Sequence, residues 1–153
     1  MLYFAYGSNL NRRAMTRRCP RAEPVGQAHL VGYRLVFRRF ADIVADRSST
    51  VWGAVYRLTP ACLRALDKYE DAPRWYRKIT VPVMCDGAAM EAMAYVMTGG
   101  DIAPPDVAYY GEIARGYADW KLDEALLRRA RLAVLNGSSD AAEKKSKVLR
   151  QPG

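Results

Sequence analysis

The chain has 153 residues, half of them hydrophobic, which fits a single domain with a sizeable core. Its formal net charge is +8, and residues 1–40 carry +7 of it because eight arginines stand there against one glutamate. No apolar run is long enough for a transmembrane helix, the N-terminus lacks a signal-peptide pattern, and three scattered cysteines favour a reducing compartment. These features predict a cytoplasmic protein without disulfides.

The predicted elements alternate between strands and helices. In chain order, the patterns predict a strand, a helix, two strands, a helix, two strands and two helices, at residues 2–6, 10–18, 27–38, 51–58, 60–71, 75–84, 90–97, 106–119 and 122–135. Hairpin-like strands with helices scattered among them are typical of an α+β domain. The sequence therefore predicts a small curled or barrel-like mixed sheet.

Local signals mark where several of these elements begin or turn. Gly32 is expected to break or bulge the second strand, because a glycine inside a strand has no side chain to pack. Thr59 followed by Pro60 predicts an N-cap with proline at the first helical position. Asp86-Gly87 predicts a tight hairpin turn between the last two strands.

A polar segment follows the last predicted helix. Asn136-Gly137 is a typical helix end, and mostly small, polar and charged residues follow it. We therefore expect one domain over residues 1–137 and a flexible C-terminal tail over residues 138–153.

A loop with a glycine directly follows the first strand. Tyr6-Gly7-Ser8-Asn9 leads from an apolar strand into a helix, so several backbone N–H groups are expected to point the same way. Such a turn can hold a carboxylate or stabilise an oxyanion, and Asn9 can cap the helix or offer its amide to a ligand. The same four residues also fit an ordinary turn and N-cap, which stays open as the alternative.

Glu70 is a candidate acid/base because of its position on the fifth predicted element. At 100° per residue, Glu70 projects between Leu63 and Leu66 on the apolar face of that helix. A carboxylate on a buried face is unfavourable unless it is paired or functional, and burial would raise its pKa towards neutral pH. The alternative is a frayed helix end at which Glu70 reaches solvent or pairs with Arg74 or Arg77.

Patterns of metal and nucleotide sites are absent from the chain. His29 is the only histidine, and the cysteines are far apart, so no zinc site is expected. Cys62 and Cys85 are interpreted as buried apolar residues, and Cys19, next to Pro20, as a loop residue. No phosphate-binding loop occurs, and no metal, nucleotide or flavin cofactor is expected.

Several short motifs occur together along residues 2–120. In order, they are Phe4-Ala5-Tyr6-Gly7-Ser8-Asn9-Leu10, Val51-Trp52-Gly53-Ala54-Val55-Tyr56, Leu66-Asp67-Lys68-Tyr69-Glu70, Trp75-Tyr76-Arg77, Tyr95-Val96-Met97-Thr98, Pro104-Pro105 and Tyr109. Each motif is short, but the ordered combination is specific. It resembles the γ-glutamylcyclotransferase-like proteins, also called AIG2-like.

The resemblance implies a compact β-barrel flanked by helices, with a cavity at one end. In that family a glutamate acts as general acid/base and the N-terminal loop binds the substrate, which gives the catalytic role here to Glu70. Substrate binding is implied for seven residues, Tyr6, Gly7, Ser8, Asn9, Tyr76, Tyr95 and Tyr109. One step in register would exchange Tyr109 for Tyr110. Where the family usually has glycine after the glutamate, this chain has Asp71, which either raises the pKa of Glu70 or reshapes the pocket rim.

The implied reaction is an acyl transfer within one molecule. A γ-glutamyl amide closes to 5-oxoproline and releases its free amine, whether that amine is an amino acid or another amine. The expected partner is therefore a small γ-glutamyl substrate, with no nucleic acid, membrane or cofactor involved. The sequence leaves the identity of the amine, the pathway and the oligomeric state open.

Two other functions fit parts of the sequence. A non-catalytic ligand-binding or regulatory domain would keep the fold without the chemistry. A nucleic-acid-binding module would use the arginines clustered in residues 12–21, although no aromatic residues are interleaved with them. If the Tyr6–Asn9 loop is the substrate edge, Arg12 and Arg13 are expected to give the pocket mouth a positive field that favours an anionic substrate.

Overall fold

A computed structural model describes residues 1–149, with side chains through residue 137. Its strands and helices follow in chain order as β1 (Leu2–Ala5), α1 (Arg12–Arg18), β2 (Glu23–Arg38), β3 (Phe40–Arg57), α2 (Pro60–Glu70), β4 (Tyr76–Cys85), β5 (Ala88–Met97), α3 (Val107–Asp119) and α4 (Glu124–Leu149), with a single 3-10 turn (Ser8–Leu10) before α1. Among the described residues, no helix combines the length and the apolarity needed to cross a membrane.

The five strands close into a barrel in the order β1-β3-β2-β4-β5. All neighbouring pairs are antiparallel except β1 and β5, which meet in parallel where Tyr3 lies beside Met93. The predicted α+β class and the barrel flanked by helices are confirmed. Gly53 allows β1 to approach β3, because a Cβ on Gly53 would lie 2.1 Å from the carbonyl oxygen of Ala5.

The hairpin of β2 and β3 is longer than predicted. β2 begins at Glu23 rather than at 27, and β3 begins at Phe40 rather than at 51. The pairing shifts from Val31–Thr50 to Tyr33–Ala45, so four polar residues (46–49) bulge out of β3. This polar bulge hides the alternating pattern of the strand, and the shift confirms the predicted irregularity at Gly32, which has a φ of 86°.

Three other predicted signals concern the start of α2, the turn between β4 and β5, and the end of α4; the first two are confirmed and the third is wrong. Thr59 caps α2, since its Oγ1 accepts from the backbone N–H of Cys62 at 3.2 Å. Asp86 and Gly87 both adopt positive φ in the β4–β5 turn, as predicted. The predicted helix end at Asn136-Gly137 is wrong, because α4 continues to Leu149. Gly137 does not adopt the positive φ of a helix-ending glycine, and residues 141–149 include strong helix formers.

The division at residue 137 and the flexible tail stay predictions, and residues 150–153 lie outside the described residues. Cys62 and Cys85 are buried as expected, and Cys19 is a loop residue as predicted, although it is buried as well. It directly follows α1 as its C-cap, and its thiol donates to the carbonyl oxygen of Cys62 at 3.5 Å.

Candidate active site

One cavity of about 380 Å³ collects the residues that the sequence singled out. It opens between the loop after β1, the start of β3, the end of α2 and the start of α3. All eight predicted site residues line it: Tyr6, Gly7, Ser8, Asn9, Glu70, Tyr76, Tyr95 and Tyr109. None of the three cysteines is among the lining residues.

The loop after β1 lies against the start of β3. Gly7 precedes the 3-10 turn, and a Cβ on it would lie 3.2 Å from the Cβ of Ala41 and 3.6 Å from the hydroxyl of Tyr109. Glycine therefore keeps this part of the cavity open. Asn11 rather than Asn9 caps α1, because the Oδ1 of Asn11 accepts from the backbone N–H of Ala14 at 3.0 Å.

Asn9 connects the loop to Glu70 through its side-chain amide. Its Nδ2 donates to the hydroxyl of Tyr3 at 2.9 Å and faces Oε1 of Glu70 at 3.4 Å. Its Oδ1 accepts from Nη1 of Arg18 at 2.7 Å. A guanidinium group can only donate, so Arg18 fixes which end of the amide faces Glu70.

Glu70 lies in the last turn of α2, half-buried and facing the cavity as the helical phase predicts. Burial raises the pKa of its carboxyl group to about 7, and the positive charge of Arg18 opposes that rise. Glu70 does not pair with Arg74, the alternative that the sequence left open. The Nε of Arg74 lies 4.0 Å from Oδ2 of Asp71 instead. Among the described side chains, no cation lies within 4 Å of Glu70 as an ion-pair partner.

Arg18 is the arginine associated with this site, and sequence reasoning missed it. Its guanidinium lies 3.8 Å from the ring centroid of Tyr69, and its Nη2 is 3.1 Å from Oε1 of Glu112. Arg12 and Arg13 do not line the cavity, and the positive field expected from them stays a prediction. Arg12 lies over the ring of Trp120, and Arg13 lines a separate open cleft between α1 and α3.

Removing the charge of Arg18 should raise the pKa of Glu70 above its value of about 7. We expect Arg18→Met to shift the Glu70 carboxyl titration to higher pH, measured by carbon-detected NMR of labelled glutamate. Arg18→Lys, which keeps the charge but loses the two-pronged hydrogen bonding, should give a smaller rise. An unchanged titration in Arg18→Met would contradict electrostatic coupling between the two residues.

The tyrosines of the cavity wall are held by specific acceptors and donors. Tyr76 donates to the carbonyl oxygen of Ala41 at 3.0 Å, and the N–H of Ala41 donates to the hydroxyl of Tyr109 at 3.0 Å. Tyr6 donates to the carbonyl oxygen of Tyr95, whose own hydroxyl donates to Oδ1 of Asp67 at 2.6 Å.

Burial keeps these phenols neutral, because it raises the pKa of each of them above the usual value. These four tyrosines therefore offer fixed hydroxyl groups and no negative charge. A ligand in the cavity meets these neutral groups, the carboxyl group of Glu70 and, at the rim, the side chain of Asp71.

The choice between Tyr109 and Tyr110 has a structural answer. Tyr109 lines the cavity and touches Ala41. Tyr110 is buried on the other side of α3, where its ring packs near Phe37 and under the guanidinium of Arg131. Of these two neighbouring tyrosines, Tyr109 is therefore the one that belongs to the cavity wall.

Seven further residues line the cavity, and none of them is predicted from the sequence as a site residue. They are Tyr3, Phe40, Ala41, Tyr69, Asp71, Trp75 and Met97. Tyr69 and Trp75 stand inside the quoted motifs beside Glu70 and Tyr76, so adjacency was an available signal for them. Phe40 and Ala41 had none, because the sequence patterns predict no strand or helix between residues 38 and 51.

Asp71 occupies the helix-ending position where glycine is usual in the resembling family. It adopts the left-handed conformation, with φ 52° and ψ 53°, and it lies on the rim of the cavity. Only glycine takes this conformation at no steric cost. The raised pKa of Glu70 has burial as its main cause, so Asp71 acts here on the rim and the backbone.

Asp71→Gly should stabilise the protein by about 0.5–1 kcal/mol, since it relieves a left-handed non-glycine residue and removes an acidic group from a helix C-terminus. Urea unfolding followed by circular dichroism measures the change. Asp71→Asn is the matched control, because it removes the charge while keeping a residue that tolerates this conformation. If Asp71→Gly unfolds at a lower urea concentration than the parent, the backbone explanation is wrong.

Known proteins resemble this chain in sequence and in fold. A family model described as gamma-glutamyl cyclotransferase, AIG2-like, matches residues 3–122. Gamma-glutamylcyclotransferases of Mus musculus and Homo sapiens are 30% and 31% identical to it over 129 residues, covering 75% of this chain and 69% of each relative. A solved structure of a gamma-glutamyl cyclotransferase superposes with a TM-score of 0.77 at 28% identity and covers 85% of both chains.

Proposed function

The chain belongs to the gamma-glutamyl cyclotransferase, AIG2-like family, and from this membership we propose that it cyclises a γ-glutamyl amide to 5-oxoproline with Glu70 as the general acid/base. The family description and the names of the relatives support γ-glutamylcyclotransferase activity on a small molecule in general. The identity of the acid/base and the roles of the pocket residues are the finer part of the proposal.

The chemistry requires mainly that one flexible substrate be folded correctly. The α-amino nitrogen attacks the γ-carbonyl carbon, a new C–N bond closes the five-membered ring, and the amide C–N bond to the leaving amine breaks. Well-oriented reactions within one molecule can gain about 7–11 kcal/mol from positioning. A cavity with fixed hydroxyl groups is suited to this task, because its walls need not reorganise.

Glu70 moves the proton in this scheme. The α-ammonium group must lose a proton before it attacks, and a carboxylate with a pKa of about 7 can accept that proton near neutral pH. Glu70 then passes this proton to the nitrogen of the departing amine and ends each cycle ionised. The attacking nitrogen gives up a second proton to water as the lactam forms, and the released amine takes up a second proton from water as it becomes an ammonium ion, so the protons balance. Proton transfer of this kind typically contributes about 10²–10⁴ in rate.

The loop after β1 receives the negative charge of the substrate. Ser8 and Asn9 open the 3-10 turn, so their backbone N–H groups have no partner within that turn. They hold either the α-carboxylate or the oxyanion that forms on the γ-carbonyl oxygen, and both assignments fit the loop.

One observation carries the proposal: a half-buried carboxyl group with a raised pKa faces the same cavity as the Gly7–Asn9 loop. The test incubates the protein with γ-glutamyl amino acids, γ-glutamyl amines and glutathione and measures 5-oxoproline by mass spectrometry. Formation of 5-oxoproline and free amine in equal amounts is the expected result. A protein that is inert with every compound would overturn the proposal.

The rate at low substrate concentration should rise with pH through about 7, because Glu70 accepts a proton only when it is ionised. The measurement is kcat/KM for 5-oxoproline formation between pH 5 and 8. The pKa of the substrate ammonium group is determined separately, so that its titration can be subtracted. Arg18→Met should move the midpoint upwards, and a profile that stays flat across this range would exclude Glu70 as the base.

A non-catalytic ligand-binding domain and a nucleic-acid-binding module remain the alternatives. The inert outcome above would favour the first. The second is the weaker one, because the guanidinium groups of Arg12 and Arg18 are already engaged with aromatic rings. It predicts an RNA affinity that falls steeply with salt.

A further inference from the structure

Three large aromatic side chains stand half-exposed around the mouth of the cavity. Phe40, Tyr69 and Trp75 are 47%, 44% and 52% exposed and all line the same opening. We call these three residues the aromatic collar. Exposed aromatic side chains gathered on one rim are typical of a binding surface, whereas scattered ones are ordinary.

Local contacts hold each residue of the collar in place. Phe40 packs edge-on against Tyr109, with ring centroids 5.3 Å apart. Tyr69 lies under the guanidinium of Arg18, and its hydroxyl is 3.3 Å from Oγ of Ser8. The backbone of Trp75 is fixed by the bond from its N–H to the carbonyl oxygen of Asp71 at 2.8 Å. Such a rim needs little ordering when a ligand binds.

The cavity divides into a polar interior and this apolar mouth. Tyr3, Tyr6, Ser8, Asn9 and Tyr95 are buried and supply its hydroxyl and amide groups. The glutamyl half of a substrate, with its ammonium, carboxylate and carbonyl groups, matches the polar interior. The leaving amine is then directed to the mouth, from which it can also depart.

The charges at the collar disfavour a cationic side group on that amine. Arg18 already covers the face of Tyr69, and the guanidinium of Arg74 lies 5.7 Å from the ring centroid of Trp75. Asp71, the acidic residue on the rim, lies 4.0 Å from the Nε of Arg74 and is paired with it. A cationic ligand would compete with both arginines for these faces and would be repelled by them. An aromatic ring can instead pack against the free edges of the collar.

Building on the proposed function, we infer that the preferred substrates are γ-glutamyl amides whose leaving amine carries an aromatic group, and that the aromatic collar is the subsite for this group. Burying a ring at such a site corresponds to about a 10- to 100-fold advantage over a small side group.

The experiment compares kcat/KM for four compounds: γ-glutamyl-phenylalanine, γ-glutamyl-phenethylamine, γ-glutamyl-alanine and γ-glutamyl-lysine. The two aromatic compounds should exceed the alanine compound by about tenfold or more, and the lysine compound should not. The phenethylamine compound lacks the second carboxylate, so its rate separates recognition of the ring from recognition of an amino acid. Equal kcat/KM for all four would overturn the inference while leaving the proposed function intact.

Variants of the collar connect the preference to its residues. Trp75→Ala and Phe40→Ala should each lower the ratio of the phenylalanine to the alanine compound by about tenfold. Leu132→Ala is the matched control, because Leu132 is 50% exposed on α4 and does not line the cavity, and its ratio should match the parent. A ratio that survives in both collar variants would place the preference elsewhere.

A binding measurement keeps this inference separate from the chemistry. In Glu70→Gln, titration calorimetry should give a dissociation constant for γ-glutamyl-phenylalanine about tenfold below that for γ-glutamyl-alanine, whether or not the parent turns over. Equal affinities would overturn the aromatic subsite. If the parent forms no 5-oxoproline but the affinities still differ, the proposed function fails and the subsite stands.

Discussion

Glu70→Gln should lower kcat for 5-oxoproline formation by about 10²–10⁴-fold without disturbing the fold. Glutamine has the same shape, and its Oε1 can still accept the hydrogen bond from Asn9. What it lacks is the ability to take a proton from the ammonium group of the substrate. The measurement is kcat and KM from initial rates over a range of γ-glutamyl substrate concentrations, and the loss should fall on kcat with little change in KM.

The matched control for this variant is Glu91→Gln. Glu91 is exposed on β5, so the same chemical change there should leave kcat unaltered. If Glu70→Gln turns over as fast as the parent, Glu70 is not the acid/base even where the activity itself is present.

The same variant should also unfold differently with pH. Burial raises the pKa of Glu70 from 4.5 to about 7, so the folded protein holds this proton more tightly than the unfolded chain. Its contribution to stability is complete below about pH 4.5 and is lost as the pH rises through about 7. Glu70→Gln should therefore gain stability relative to the parent between pH 5 and 8, measured by urea unfolding. Equal stability differences at pH 4.5 and pH 8 would contradict the raised pKa.

Gly116→Ala should destabilise the protein by about 3 kcal/mol or more, the second large effect that we expect. A Cβ on Gly116 would lie 2.6 Å from the backbone N of Asn11 and 2.6 Å from the carbonyl carbon of Leu10. These are main-chain atoms directly after the loop of the cavity, so α3 or the loop has to move. We expect a lower denaturation midpoint and, because Asn9 precedes Leu10, a lower kcat in the protein that still folds.

Gly111→Ala on the same helix is the control. No atom lies within 4 Å of a Cβ placed there, apart from the helix's own backbone and chain neighbours, and Gly111 is exposed. Alanine is the better helix former by about 0.5–1 kcal/mol, so this variant should be stabilised. If both variants shift stability in the same direction, the close approach at Gly116 does not govern the packing of α3.

Short-range periodicity was sufficient to predict part of the candidate site. Glu70 could be placed because helical phase relates it to Leu63 and Leu66, a few residues away. The loop could be placed because Gly7 interrupts an apolar strand. In both cases the residues that carry the signal are neighbours in sequence, so the prediction does not depend on contacts between distant parts of the chain.

The remaining features depend on contacts between distant residues. Arg18 meets Glu112, which lies 94 residues further along the chain, and no local pattern connects them. Phe40 and Ala41 were missed because the polar bulge at residues 46–49 conceals the beginning of β3. Arg12 and Arg13 are nearest to the loop in sequence, but it is Arg18, at the other end of α1, whose guanidinium contacts the cavity residues Asn9 and Tyr69.

Ala41 holds Tyr76 and Tyr109 through its main-chain oxygen and nitrogen, not through its side chain. Every amino acid has this carbonyl oxygen, and every one except proline has the N–H that donates to Tyr109. A substitution at residue 41 can therefore alter the space next to Gly7, where an added Cβ would lie 3.2 Å from the Cβ of Ala41, without removing the attachment of either phenol. Residue 41 is thus a position at which a substitution could change the size of the ligand that the cavity accepts while Tyr76 and Tyr109 keep their hydrogen bonds.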